Sequence, residues 1–283
     1  MIKYDNFVFS TSIFFLFLVG ISQYACLQKS TLIHQSLPTI NPISFQQIQT
    51  DTLFDSPQNI SILTIAKKDS NQYRFDLAHH SNTLMTTSQF AKKENALAAI
   101  NGGFFNMDNG GSVTYLEAQD SIYQRNIPHG EKWAIADWAK TGAVIIKKNG
   151  QLKIEAAKSP SFYEQSPLET SVLITGPFLI ENGAKIDLIA AKFVQDRHPR
   201  TCICETADSH LLLTIDGRQS SAKGLSLLTF QDFLLARHCL NAINLDRGGS
   251  TTMWLKEKGV VNQPSDLFGE RKVANAILIK GKS

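Results

Sequence analysis

The sequence lacks a strong excess of charge of either sign. Its 28 basic and 25 acidic side chains leave a net charge of +3, and no long block of like charges occurs among the 283 residues. Proteins that bind nucleic acids usually present a basic patch or stripe to the phosphates. We therefore expect no nucleic-acid partner for this chain.

Cysteine is also scarce. Of the four cysteines, Cys202, Cys204 and Cys239 follow the N-terminal region, and three such residues do not describe a disulfide-stabilised scaffold. Cys202 and Cys204 would share one face of a strand, where they are too constrained to pair comfortably with each other. We expect these three residues to be buried thiols in the core.

Histidines at metal-ligand spacing are absent as well. Neither the pair His79-His80 nor His198 stands in a metal-binding pattern, and no second cysteine pair occurs. A divalent cation held by Asp216 and Asp246 is conceivable, but no motif supports it. The sequence therefore predicts no metal and no organic cofactor.

The N-terminus differs from the rest of the chain, because Lys3 precedes an apolar run at residues 7–21 that ends in a polar segment. This pattern is typical of an export signal, so residues 1–25 are predicted to be a signal peptide, or an N-terminal anchor if uncleaved. Acylation at Cys26 is an alternative, although the usual small aliphatic residues before it are missing. We expect an exported protein of the periplasm, cell envelope or extracellular space that contacts a membrane only through this segment.

The remaining chain is predicted to contain a polar tether at 26–58 and one folded domain at 59–283. Helical patterns occur at 88–98, with Thr87 or Ser88 as N-cap, and from the N-cap Ser226 to about residue 239. Strand patterns dominate and lie at 60–65, 73–77, 143–147, 172–175, 211–215, 242–245 and 274–279. This distribution favours a mixed α+β fold with a strand-rich sheet core and a few flanking helices.

Two loops that follow strand-like segments carry residues that could form a ligand-binding or catalytic site. At 101–103, Asn-Gly-Gly would let a ligand approach the backbone, although a tight turn over a buried Phe pair would use the same residues. At 216–218, Asp-Gly-Arg can place a carboxylate and a guanidinium on one rim, or form an ordinary turn.

A third loop, Asp-Arg-Gly-Gly-Ser-Thr-Thr at 246–252, follows the strand-like segment 242–245. Backbone N–H groups in a glycine-rich turn can bind an anion, and the hydroxyls of Ser250 and Thr251 could add donors. The segment matches neither a Walker loop nor a dinucleotide-binding fingerprint, so nucleotide use is not indicated.

Five motifs occur in the order found in the phosphodiester glycosidase family, which the sequence resembles over about residues 97–279. They are Asn-Gly-Gly-Phe-Phe at 101–105, Pro-Arg-Thr at 199–201, Asp-Gly-Arg at 216–218, Gly-Leu-Ser-Leu at 224–227 and Asn-Leu-Asp-Arg-Gly-Gly-Ser-Thr-Thr-Met at 244–253. The segments 263–265 and 271–275 are also similar to the end of that family's domain. The resemblance implies an exported hydrolase that cuts the anomeric C–O bond of a sugar-1-phosphodiester in an envelope or exopolysaccharide phosphoglycan.

One position departs from the family pattern, which usually shows Asp-Gly-Gly-Gly where this chain has Asp-Arg-Gly-Gly at 246–249. If Arg247 needed a positive φ, it would cost on the order of 1–2 kcal/mol. Its side chain could otherwise leave the turn as a solvated group on the rim, which we favour, or supply an extra cation to the anion.

The chemistry implied by the resemblance assigns roles to these residues. A departing phosphate needs a cation and an oxocarbenium-like carbon needs a carboxylate. Asp246 and Asp216 are predicted to be the catalytic carboxylates, Arg200 and Arg218 are predicted to bind phosphate, and Glu117 is a further candidate acid unless it is an exposed loop residue. The other predicted substrate-binding or phosphate-binding residues are Thr201, Gly248, Gly249, Ser250, Thr251, Gly102, Asn101 and Asn244, of which the two asparagines are expected to orient sugar hydroxyls.

Two other functions remain open from the sequence. The protein could bind a phosphoglycan with weak turnover or none, or it could be a phosphodiesterase that cuts the P–O bond. In each case the expected partner is a small-molecule or glycan phosphodiester.

Overall fold

Antiparallel β-strands form most of the molecule between residues 43 and 282, the part of the chain that this computed structural model describes. They assemble into three sheets of seven, five and five strands. Every strand pair in these sheets is antiparallel. Antiparallel neighbours can be joined by short turns, so the chain needs few long connections.

The strands are numbered in chain order. From edge to edge, the first sheet consists of β1 (Ile43–Thr50), β2 (Gln58–Ala66), β13 (Ser209–Ile215), β12 (Arg200–Glu205), β14 (Asn241–Asn244), β10 (Phe178–Glu181) and β11 (Ala184–Lys185). The second consists of β16 (Gly259–Val260), β15 (Met253–Leu255), β4 (Ala98–Asn101), β17 (Asn275–Gly281) and β3 (Tyr73–His79). The third consists of β6 (Ser121–Gln124), β5 (Leu116–Ala118), β9 (Glu169–Thr175), β7 (Gly142–Lys147) and β8 (Leu152–Ala156).

The three sheets share one apolar core. Ile203 and Leu212 of the first sheet, Ile277 of the second, and Val144 and Leu173 of the third belong to a single cluster of buried side chains. Burial of each such side chain contributes about 1.5–3 kcal/mol. The shared cluster therefore holds the three sheets together as one domain.

Helices cover the outer faces of the sheets. In the described part of the chain they are α1 (Thr87–Lys93), α2 (Pro160–Glu164), α3 (Lys192–Gln195) and α4 (Leu227–Ala236), with short 3-10 turns at Leu53–Asp55, Lys67–Asp69, Asp137–Ala139 and Gly248–Ser250. Side chains of β12 alternate between the faces of the first sheet, so that Cys202 and Cys204 pack with the α4 residues Phe230 and Leu234, whereas Ile203 faces the shared core.

The predicted mixed α+β fold is confirmed, and each predicted strand overlaps an observed one. The N-cap of α4 is Ser226, as predicted. The first helix is shorter than predicted and begins after Thr86, whose hydroxyl forms a capping box with Gln89. It ends at Lys93 because Asn95 adopts a φ of +48° and turns the chain into β4.

The predicted tether is wrong from residue 43 onward. Strand β1 pairs with β2 along its whole length, and Ile43 and Ile48 are buried. Because β1 is an edge strand with most of its remaining side chains at least partly exposed, its polar composition resembled that of a linker. The folded domain therefore includes residues that precede the predicted boundary at 59.

The expectation of three buried thiols is also wrong in part. Cys204 and Cys239 form a disulfide with Cα atoms 5.6 Å apart, and only Cys202 is a free, buried cysteine in the described residues. Cys239 follows α4, which packs on the outer face of β12 and so delivers this residue beside Cys204. No local sequence pattern indicates that the two cysteines are neighbours, since they are 35 residues apart in the chain.

The predictions for residues 1–25 and Cys26 lie outside the described residues. Between residues 43 and 282, no helix combines the length and hydrophobicity needed to cross a membrane.

Candidate active site

The three loops singled out in the sequence meet at one edge of the fold. Strands β13 and β14 end where β12 begins, because Arg200 pairs with Ile215 and Cys202 pairs with Asn244. Strand β4 ends next to the start of β15 in the second sheet. The backbone N–H of Asp246 then donates to the carbonyl of Gly102 at 3.0 Å, which joins the two sheets at this edge.

A buried network holds Asp246 in position. The side-chain amide of Asn101 donates to the backbone carbonyl of Asp246 at 2.9 Å, and its Oδ1 accepts from the Thr201 hydroxyl at 2.7 Å and from the Thr252 N–H at 3.1 Å. Asn101 and Thr201 are fully buried. They therefore position the loop from below, and the prediction that Asn101 orients a sugar hydroxyl and that Thr201 binds substrate is not supported.

Asn244 is likewise buried, and its amide donates to the carbonyls of Gly176 and Leu245. This corrects its predicted contact with sugar, because a side chain enclosed in this way cannot reach a ligand. Gly102 contributes through its backbone, whose N–H donates to the carbonyl of Asn275 at 3.0 Å. Both residues support the edge without facing solvent.

Arg247 has extended backbone geometry, with φ −122° and ψ 179°. The strain considered for an arginine at this position is therefore absent, and the left-handed conformation falls on Gly248, whose φ is +73°. A Cβ at Gly248 would lie 2.9 Å from a guanidinium nitrogen of Arg218. Glycine at 248 thus allows both the turn and the close approach of Arg218.

Gly249 permits a second close approach. A Cβ there would lie 2.0 Å from Oδ1 of Asp266 and 2.4 Å from a guanidinium nitrogen of Arg271. Asp266 and Arg271 form a bidentate pair, with N–O distances of 2.8 and 2.9 Å. This ion pair therefore packs directly on the glycine turn.

Arg200 is fully buried and holds the chain around α3. Its Nε donates to the carbonyl of Leu225 at 2.9 Å, and its Nη2 donates to the carbonyls of Phe193 and Asp196 at 2.8 and 3.0 Å. Its Nη1 is buried and has no partner among the described residues. Burial, and after it the positive charges of Arg247 and Arg218, lower the pKa of Arg200 to about 9.

Arg218 and Arg247 complete a cluster of three guanidiniums with Arg200. The Arg247 guanidinium carbon lies 4.4 Å from the centre of the Phe193 ring, and that of Arg200 lies 5.4 Å from the same ring. Arg247 is only partly exposed, and its Nε is buried without a partner among the described residues. The favoured expectation of a solvated arginine on the rim is therefore wrong, because the face of Phe193 holds the side chain against its neighbours.

The positive charge of the cluster also acts on His198. Its Nδ1 lies 3.4 Å from Nη2 of Arg218. Burial, followed by the charges of Arg247, Arg200 and Arg218, lowers the pKa of His198 to about 4. The imidazole is therefore neutral at pH 7 and can accept from Arg218, which it could not do as a cation. Arg218 itself adopts a φ of +62°, a strained backbone for a residue with a Cβ.

Asp246 is the carboxylate associated with this cluster. Burial raises its pKa, while the Ser250 hydroxyl, the Arg247 backbone N–H and the charges of Arg271 and Arg247 oppose the rise. The residue as a whole is partly exposed. The charges of both Arg247 and Arg271 therefore act on the Asp246 carboxylate.

Asp216 lies in a different environment. It is 1% exposed, and its two oxygens accept from the side-chain amides of Asn59 and Asn262 and from the backbone N–H of Gln263. No charged side chain in the described range contributes to its raised pKa. The predicted catalytic pairing with Asp246 is therefore not supported, because the carboxylate of Asp216 is enclosed and fully occupied by donors.

The partners of Asp216 show what it does. Asn262, whose amide donates to Asp216 at 2.9 Å, also donates to the carbonyl of Thr251 and accepts from the N–H of Met253. It thereby links Asp216 to the end of the loop that begins with Asp246. Asp216 is a positioning residue for this loop.

The remaining predicted residues, Ser250, Thr251 and Glu117, are also buried. Ser250 and Thr251 are fully buried, so their hydroxyls lie in the turn and are not open to solvent. Glu117 lies in β5, where its carboxylate accepts from the Tyr115 hydroxyl at 2.7 Å. It is buried, so the alternative of an exposed loop position is wrong, and none of its contacts reaches the guanidinium cluster.

Sequence reasoning missed several members of the site. His198 directly precedes the Pro-Arg-Thr motif. Asp266 follows the segment 263–265 and Arg271 begins the segment 271–275, both of which resemble the family. The positions of these three residues beside the motifs could therefore have indicated them. Phe193 and Asn262 had no such indication in the sequence, because they reach the site through α3 and through the turn after β16.

Fold and site together define a strand-rich α+β protein in which loops at one edge of the sheets carry a cluster of arginines. Residues 94–280 match the phosphodiester glycosidase family, and the chain belongs to that family.

Two curated proteins are similar to this chain in sequence. Over 206 residues the chain is 23% identical to the SPbeta prophage-derived uncharacterized protein YomE of Bacillus subtilis, a match that covers 69% of this chain and 29% of that protein. It is 26% identical over 196 residues to N-acetylglucosamine-1-phosphodiester alpha-N-acetylglucosaminidase of Bos taurus, with coverage of 64% and 35%. The chain thus spans about a third of the length of these curated relatives.

A solved structure shows the same fold. The catalytic domain of zebrafish N-acetylglucosamine-1-phosphodiester alpha-N-acetylglucosaminidase superimposes with a TM-score of 0.63 at 18% identity. The match covers 85% of this chain and 82% of that one.

Proposed function

We propose that this protein hydrolyses the anomeric C–O bond of a sugar-1-phosphodiester and releases a free sugar and a phosphomonoester. The observation that carries the proposal is the position of the Asp246 carboxylate beside a cluster of three guanidiniums that have no carboxylate ion-pair partner among the described residues. Membership of the phosphodiester glycosidase family supports the same reaction class.

In this proposal the guanidiniums stabilise the negative charge of the leaving group. A departing phosphomonoester has a second pKa of about 6, far below that of an alcohol, so it needs little protonation to leave. What it needs is stabilisation of negative charge by fixed cations. Arg218 and Arg247 are the accessible members that would contact phosphate, and Arg200 supports them from the buried side.

In this proposal the carboxylate of Asp246 acts on the anomeric carbon of the sugar. Glycoside cleavage develops positive charge at the anomeric carbon, which a nearby carboxylate stabilises or attacks. The charges of Arg271 and Arg247 favour the ionised form of Asp246 against the effect of burial. The Asn101–Thr201 network fixes the backbone of Asp246, so that its side chain is held in one place.

The natural substrate in this proposal is a glycan or small-molecule phosphodiester of the cell envelope or of an exopolysaccharide. Its support is the export-like segment at residues 7–21 together with the cationic character of the site. The protein would act outside the cytoplasm and would contact a membrane only through its N-terminal segment.

The test is a screen of the full chain against α- and β-sugar-1-(methyl phosphate) diesters, scored for release of reducing sugar. Asp246→Asn should lower kcat/KM by at least about 100-fold, as expected for loss of a group that acts in the transition state. Asp232→Asn, which removes a carboxylate that is 62% exposed on α4, is the matched control and should retain wild-type activity.

Hydrolysis in ¹⁸O-labelled water identifies the bond that breaks. Label in the sugar supports C–O cleavage, whereas label in the phosphate would replace the proposal with a phosphodiesterase. Binding of the diesters without any sugar release, unchanged in Asp246→Asn, would instead indicate a phosphoglycan-binding protein.

A further inference from the structure

The guanidinium cluster carries more positive charge than a single phosphodiester would balance. No ion pair joins Arg200, Arg218 or Arg247 to a carboxylate within residues 43–282. The carboxylates whose charges act on Arg247 are those of Asp246 and Asp196, and Asp196 is exposed to solvent. A phosphodiester brings one negative charge, so an excess of cations would remain.

Arg247 is the residue that creates this excess. Its extended backbone sends the side chain out of the glycine turn and onto the ring of Phe193, which Arg200 contacts as well. The ring fixes the guanidinium among like charges, an arrangement that is unfavourable without an anion. The family pattern that the sequence resembles usually has glycine at 247, so this cation is an addition to that pattern.

An unused donor points toward an anionic ligand. Nε of Arg247, a partly exposed residue, has no hydrogen-bond partner among the described residues. A buried N–H group of this kind is costly unless a ligand or a water molecule accepts from it. One phosphoryl group has two non-bridging oxygens in a diester but three in a terminal phosphate, and a diphosphate has more.

Building on the proposed function, we propose that Arg247 adapts the site to a glycosyl substrate whose phosphate or diphosphate group carries two negative charges before the bond breaks, a glycosyl 1-phosphate or an esterified glycosyl 1-diphosphate, in preference to a singly charged 1-phosphodiester. In the reaction the C1–O bond breaks and its electron pair stays on the phosphate oxygen. The oxygen of water forms the new bond to C1, one water proton remains on the sugar hydroxyl, and the other passes to the released phosphate or to solvent.

The experiment compares three substrates of one sugar: the 1-(methyl phosphate) diester, the 1-phosphate and the 1-diphosphate methyl ester. Wild type should show a kcat/KM for the two dianionic substrates at least about tenfold above that for the diester, which corresponds to about 1.4 kcal/mol. Arg247→Gly should remove this preference, mainly through KM, and Arg247→Lys should restore part of it. Arg74→Gln removes an exposed positive charge elsewhere and should change none of the ratios.

Other results overturn the inference. If wild type releases sugar from the diester and Arg247→Gly lowers all three activities equally, or none of them, the proposed function stands and the role of Arg247 is refuted. A kcat/KM above that of the diester for only one of the two dianionic substrates would contradict a preference set by charge, because both carry two negative charges.

Binding separates the two proposals if no substrate is turned over. Thermal unfolding is then measured at about pH 8 with inorganic phosphate, which is largely dianionic at that pH, and with singly charged dimethyl phosphate. A larger Tm increase with phosphate in wild type, lost in Arg247→Gly, supports the charge preference even though hydrolysis has failed. Equal increases for both anions, or no increase at all, would refute it.

Discussion

The carboxyl of Asp216 should make the stability of the domain fall as the pH rises. Burial raises its pKa from 3.8 to about 6, against hydrogen bonds from Asn262, Gln263 and Asn59 that favour the charged form. A carboxyl with a raised pKa binds its proton more tightly in the folded state. Its stabilising contribution is therefore complete below about pH 4 and is lost as the pH rises through about 6.

The magnitude follows from the two pKa values. The difference between about 6 in the folded protein and 3.8 in the unfolded chain corresponds to about 3 kcal/mol, since each pKa unit is worth about 1.4 kcal/mol. For a domain of this size that free energy equals a fall in Tm of about 6–12 °C. The protonated form also has an acceptor available, because Oδ1 of Asn59 is buried without a partner among the described residues and a flip of its amide would turn it toward Asp216.

The assay is urea or thermal unfolding of wild type and Asp216→Asn between pH 4.5 and pH 7.5. The measured quantity is the difference between the two pH dependences, because Asp246, whose pKa is also raised, contributes to both proteins. Wild type should lose about 2 kcal/mol more than the variant over this range, because part of the full contribution is already lost at pH 4.5. Asp232→Asn should keep the wild-type dependence, since its carboxylate is exposed on α4.

Identical pH dependence in wild type and Asp216→Asn would refute this reasoning. It would mean that the donors around Asp216 compensate its burial completely, so that the carboxylate is charged at low pH. A variant that is less stable at every pH by a constant amount would refute it equally, since a lost hydrogen bond has no such pH dependence.

Two further predictions concern the disulfide and the glycine turn. Replacing Cys204 and Cys239 by serine should destabilise the domain by about 4 kcal/mol, as calculated from the 35-residue separation, and reduction should lower the Tm of wild type but not of this double variant. Gly249→Ala should cost about 1–3 kcal/mol and reduce activity, because its Cβ would collide with the Asp266 carboxylate. Gly281→Ala, where the nearest atom lies 3.9 Å away, should leave both the unfolding midpoint and activity unchanged, and an equal loss in both variants would contradict the steric explanation.

The sequence predicted the strands well because their signal is local. Alternating or continuous apolar residues marked seven segments that all overlap observed strands, and a serine with helical spacing behind it marked α4. Strand β1 was missed because an edge strand needs only Ile43 and Ile48 to be buried, and the remaining polar residues gave no strand pattern.

The sequence predicted which loops form the candidate site, but it predicted the roles of individual side chains less well. Asp246, Arg218 and the glycine turn are where the motifs placed them. Asn101 and Asn244 are also present at this edge, but both side chains are buried and their NH2 groups donate to backbone carbonyls. Whether a polar side chain faces a ligand or the protein depends on what packs over it, and a motif does not contain that information.

The sequence by itself determined the fold class, the family and the three loops that carry polar residues after strands, since these depend on neighbours along the chain. Only the tertiary structure decided that Asp216 faces Asn262 and not the arginines, that Cys239 meets Cys204, and that Phe193 holds Arg247 beside Arg200. Those contacts join segments that are far apart in the chain or lie on different elements. They are set by strand order, by register and by which face of a sheet a helix covers, and each of these is a property of the whole packed domain.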